Sequence, residues 1–183
     1  MFRHISPYYL LFICLLLTVA CSDKLYSTLD QSTKDQVFQI KQSIQEINQN
    51  KYSNITLYNK PTESIIYQKN ANNEIVKLTR KINSTGFHKT TEYYFKNAVL
   101  LSSLQMETNS AKVKNKLLVV HKQHYFSSEK TIFAEKKEVI SKKSEEKILK
   151  EISRKKPIKF EASPYLLRDE LSYIEKIKTL INK

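Results

Sequence analysis

His121 and His124, in the run His-Lys-Gln-His, are the residues of this sequence best suited by type to hold a metal or move a proton. On a helix that spacing would bring both rings to one side; in a strand it sends them to opposite faces. The segment from Leu117 to Phe126 alternates as a strand, and neither a cysteine nor an acidic cluster lies near it. Shared metal ligation is therefore disfavoured. Two acidic pairs, Glu145-Glu146 and Asp169-Glu170, fall in helical patterns. Paired-carboxylate catalysis needs both groups facing one pocket, one of them with a raised pKa. Neighbours on a solvated helix do not provide that geometry, so both pairs read as surface. Serine and threonine are plentiful, but none lies in the Gly-x-Ser-x-Gly turn that would present an activated hydroxyl. With one glycine in the chain, glycine-rich phosphate loops are excluded. No cofactor and no metal is implied.

Tyr93, Tyr94, Phe95, Tyr125 and Phe126 are candidate binding aromatics. Exposed, they would stack on sugars or bases, and interleaved lysines would favour an anionic polymer. Strands also carry aromatic residues for packing, and that use is the commoner one. The formal charge of +13 comes almost wholly from lysine, spread along the chain and interleaved with glutamate. Such a distribution describes a solvated surface better than a nucleic-acid-binding patch.

The N-terminus carries a different chemistry. Arg3 and His4 make a short basic start, Tyr8 to Val19 is nearly all apolar, and Ala20-Cys21-Ser22 leads straight into charged residues. This is the layout of an export signal. The apolar run is about a dozen residues, whereas a membrane-spanning helix needs about 20. The segment Leu17-Thr18-Val19-Ala20-Cys21 resembles the lipobox of bacterial lipoproteins, departing from it in having Thr18 where the family favours leucine. The resemblance implies that residues 1–20 are removed and that the Cys21 thiol receives a diacylglycerol, with the new amino end usually acylated. Two or more acyl chains make membrane attachment stable. It further implies a bacterial cell-envelope location. Ser22, where an inner-membrane-retained lipoprotein of enteric bacteria would have aspartate, favours the outer membrane. A soluble secreted protein is the alternative. Both cysteines fall within the first 21 residues, so the mature domain has no internal disulfide and depends on its core.

The elements that must position these side chains follow from periodicity. Residues 21–31 read as a lipid-anchored polar tether, and 32–183 as a single α+β domain. Ser32 is the expected helix cap, with Asp35 three places on. Val37, Ile40, Ile44 and Ile47 then form an apolar stripe predicting a helix over about 33–48. From 52 to 140 the period becomes two, with polar turns between runs, predicting an antiparallel β-meander of about five to seven strands. Aromatic-ended strands at Tyr67, Phe95 and Phe126 each return as aliphatic strands, an echo at about 30 residues read as similar hairpins. Two C-terminal helices follow. Ser144 would cap the first, which ends in Arg154-Lys155-Lys156 before Pro157. Ser163-Pro164 would open the second, whose stripe is Leu167, Leu171, Ile174, Ile177 and Ile181.

The expectation is a membrane-anchored envelope lipoprotein acting as a non-enzymatic binding or interaction module. Its partners would be the membrane, through lipid on Cys21, and an envelope protein or anionic surface polymer; nucleic acid is disfavoured. An envelope hydrolase acting on glycan or peptide is one alternative, and a structural or assembly factor docking through its end helices is the other.

Overall fold

The computed structural model describes residues 23–110, 116–142 and 144–181. Cys21 and the expected export signal lie outside these residues. Helix α1 (Asp23–Tyr26) leads by a short turn into α2 (Gln31–Gln49). The N-cap of α2 is Asp30, not the expected Ser32: its carboxylate accepts from the Thr33 amide at 2.9 Å and from Thr33 Oγ1 at 2.7 Å. Those two bonds also hold the Asp30 carboxyl below its ordinary pKa. Val37, Ile40, Ser43 and Ile47 are its buried positions and Ile44 is only partly buried, so the expected stripe is present with Ser43 added. Burying each aliphatic side chain contributes about 1.5–3 kcal/mol, which fixes the helix on the sheet.

Eight strands follow in sequence order as one antiparallel sheet. They are β1 (Asn54–Asn59), β2 (Glu63–Lys69), β3 (Ile75–Ser84), β4 (Phe87–Lys96), β5 (Val99–Asn109), β6 (Leu117–Phe126), β7 (Thr131–Ser141) and β8 (Ile158–Lys159). The count exceeds the sequence expectation, and β8 is a two-residue strand too short to leave an alternating pattern. The three echoing segments are the hairpins β2–β3, β4–β5 and β6–β7. Helix α3 (Glu145–Arg154) lies between β7 and β8, and α4 (Leu166–Ile181) closes the chain. Ser144 is the N-cap of α3, without a side-chain capping bond.

Alternation along each strand sorts its side chains onto two faces, and both faces are covered. On one, Val76, Tyr94, Tyr125 and Phe133 meet α2, while Val119 and Val139 meet Ile148 and Ile152 of α3. On the other, Ile65, Leu78, Tyr93, Phe95, Leu100 and Phe126 meet Leu167, Ile174 and Ile177 of α4. The α4 stripe therefore runs through Glu170 where Leu171 was expected; Leu171 is exposed. The tether also needs correction. Leu25, Tyr26 and Leu29 pack against the cluster of Val37, Ile40, Tyr125 and Phe133, so the chain joins the domain from about residue 25 onward. Three apolar residues within little more than one helical turn are too few to show a sustained stripe, which conceals that docking from sequence inspection.

Candidate functional site

The five aromatic candidates are all core residues, each 2–3% exposed. Tyr93, Phe95 and Phe126 lie under α4, and Tyr94 and Tyr125 under α2. None offers a ring to solvent, so the stacking platform gives way to packing. Sheets covered on both faces bury both members of an adjacent aromatic pair. Their hydroxyls organise polar contacts instead. Tyr94 OH donates to Glu92 at 2.5 Å, and Tyr93 OH donates to Glu170 at 2.6 Å. Tyr125 OH donates to Glu135 at 2.6 Å. Burial and the adjacent carboxylates push all three phenols well above their ordinary pKa.

Glu135 is the centre of the α2 face. Besides the Tyr125 bond it accepts from Tyr26 OH at 3.1 Å and pairs with Lys41 at 3.2 Å. Lys41 also donates to Tyr26 OH and lies over the Tyr26 and Tyr125 rings at 4.8 and 5.3 Å. Every oxygen of this carboxylate is engaged, which makes it a clasp holding α1 and α2 to β6 and β7. On the other face Glu170 accepts from Tyr93 and from Gln105 at 3.1 Å and is itself buried. The surface reading of the Asp169-Glu170 pair holds for Asp169 and fails for Glu170. Local period places Glu170 on one face with Leu167 and Ile174, and Glu135 on one face with Phe133 and Val139, but does not say whether that face is covered.

The two histidines face opposite sides of β6, as the strand geometry requires. His124 is buried under the α4 side between Phe126 and Phe160, with its Nδ1 at 3.1 Å from Ser103 Oγ. Burial, and secondarily Lys122, lowers its pKa to about 4. Ser103 is fully buried, so this serine-histidine pair has no route to a substrate and serves the core. His121 lines a cavity of about 220 Å³ on the opposite face with Leu104, Gln123, Glu135, Lys137 and Pro157. Its Nε2 is buried without a hydrogen-bond partner in the protein. Burial, and secondarily Lys137, lowers its pKa. Among the described residues no group of three His, Cys, Asp or Glu is placed to hold a metal.

The larger cleft, about 340 Å³, opens between α2 and the turns of hairpins β4–β5 and β6–β7. Ile40, Val99 and Leu101 form its apolar lining, which the buried Phe126 also borders. Gln36, Gln39, Ser43, Ser127, Ser128 and Lys96 supply donors and acceptors. Lys96 Nζ reaches Ser43 Oγ at 3.5 Å. Lys96 is the titratable side chain of this lining, so the cleft holds no acid–base pair. Its chemistry is that of hydrogen bonding to hydroxyl or amide groups over an apolar floor. Sequence reading missed it because its walls come from one helix and two hairpins distant along the chain.

No protein-family model, curated protein or solved structure matches this chain. Among the described residues no helix is long and apolar enough to cross a membrane.

Proposed function

We propose that this chain is a lipid-anchored binding module of the bacterial cell envelope, on the outer membrane, with Cys21 carrying the acyl chains. The observation that carries the binding reading is the cleft beside α2. It combines amides, hydroxyls and one lysine with an apolar floor, and lacks the paired titratable groups of a hydrolytic centre. Such a lining suits an envelope glycan or an extended peptide with polar backbone groups.

The test uses the full-length protein in crosslinked envelopes. Gln39→Leu combined with Lys96→Ala removes two polar contacts, each worth about 1 kcal/mol or more, and should weaken ligand retention at least about tenfold. Undiminished recovery of the same envelope partner by the double variant would remove the cleft from consideration. A hydrolase reading draws on the His121 cavity, because an imidazole nitrogen there has no hydrogen-bond partner in the protein. Turnover of envelope glycan or peptide that His121→Gln abolishes would favour it over the binding module.

A further inference from the structure

We propose that the β8 edge of the sheet, with the last turn of α3, rests against an anionic lipid surface; this deepens the anchored reading and depends on lipid at Cys21. The first support is reach. Tyr26 is clasped to Glu135 and packs against Phe133 at 5.2 Å between ring centroids. Cys21 precedes α1 by two residues, so covalent geometry keeps it within about 12 Å of Tyr26. Acyl chains on Cys21 would hold this corner of the domain at the headgroup layer, with no long leash to let it turn away.

The same corner carries β8. Glu135 pairs with Lys159 and Lys136 with Ile158 in the sheet, and Lys159 Nζ lies 3.5 Å from Thr28 Oγ1. The second support is charge. Arg154, Lys155, Lys156 and Lys159 are all exposed within six consecutive positions, flanked by the acidic residues Glu151 before them and Glu161 after. Lys155 Nζ ties this segment to β7 by donating to the Glu138 carbonyl, and Lys137 Nζ of β7 holds α3 by donating to the Ser153 carbonyl. The third support is apolar exposure. Ile158 is 57% exposed amid these cations. Phe38, 61% exposed, sits one helical turn from Lys41, whose ammonium meets Tyr26 of α1. Basic residues interleaved with exposed apolar ones, beside a lipid anchor, match the headgroup layer of an anionic membrane. Lysines on a sheet edge can also serve merely to prevent edge-to-edge pairing, and the experiment separates the two.

The chain contains no tryptophan, so a single introduced one reports its own surroundings. The acylated full-length protein carrying Ile158→Trp is placed in vesicles of phosphatidylcholine with or without phosphatidylglycerol. Ile55→Trp, on the opposite edge strand β1, is the control; Ile55 is likewise exposed. With phosphatidylglycerol, the tryptophan at 158 should shift to the blue and be quenched by headgroup spin labels at least about twofold more than that at 55. High salt, which shortens the Debye length from about 8 Å to about 3 Å at 1 M, should cancel the difference. Equal emission and quenching at both edges, in protein that floats with the vesicles, overturns the proposal. Protein that fails to float, with an N-terminal peptide of unacylated mass, instead overturns the anchor. Should either tryptophan variant lose its melting transition, amine-acetylation rates of Lys156 and Lys159 in the unaltered protein give the same reading. Protection in anionic vesicles supports the contact, and rates matching Lys51 and Lys60 refute it.

Discussion

Ala98 occupies the left-handed region, with φ 62°, beside Asn97 at φ 51°, in the two-residue turn between β4 and β5. Two successive left-handed residues match the right-handed twist of a tight hairpin, and asparagine followed by glycine is the favoured pair. A Cβ at the second position is strained. Ala98→Gly should raise stability by about 0.5–1 kcal/mol, read as a higher denaturant midpoint with unchanged slope. His124 gives the second residue-scale expectation. Its folded pKa of about 4 lies below the unfolded value of about 6.5, so the unfolded chain takes up the proton first as pH falls. Stability from this group is complete above pH 6.5, is lost between there and about 4, and then levels. The loss should approach about 3 kcal/mol. His124→Gln should flatten that part of the stability–pH curve in denaturant titrations; an unchanged slope would show that other groups set it.

The helices differ in how far their patterns foretold their packing. The α2 stripe was legible because Val37, Ile40 and Ile47 repeat at helical spacing and all three are buried. In α4 helical spacing between Leu167 and Ile174 is met by either position 170 or 171; hydrophobicity pointed to Leu171, and the buried residue is Glu170. The sheet accepts Glu170 because Tyr93 and Gln105 present donors beneath it. Ile174 is fully buried in the same stripe, whereas Leu180 is 47% exposed. Ile174→Ala should cost about 2–5 kcal/mol through lost burial and a residual cavity. Leu180→Ala should stay within about 0.5 kcal/mol, and thermal melts of the pair will test which face of α4 is buried.

The whole molecule is a meander whose neighbours in space are neighbours in sequence, with helices added to both faces from its two ends. The N-terminal contribution includes a segment that reads as a polar tether. Tyr26 binds it to the domain through Glu135 and Lys41. Tyr26→Phe removes one hydroxyl from that clasp and should cost about 1 kcal/mol. Amide exchange should quicken in residues 25–29 while the centre of β4 stays protected. Uniform quickening throughout would mean that the clasp stabilises the domain as a whole.

The amino-acid order by itself determined the α+β class, the antiparallel meander, the three similar hairpins and the opposite directions of His121 and His124. Each follows from local period: two in a strand, near 3.6 in a helix. Only the tertiary structure decided that both sheet faces are covered, and hence that Tyr93, Tyr94, Phe95, Tyr125 and Phe126 are core residues. It also decided that Glu135 and Glu170 are buried, and that a cleft opens beside α2. Periodicity reports which side chains share a face. Whether that face meets water or another element depends on distant segments returning to it, and no window of sequence contains that information.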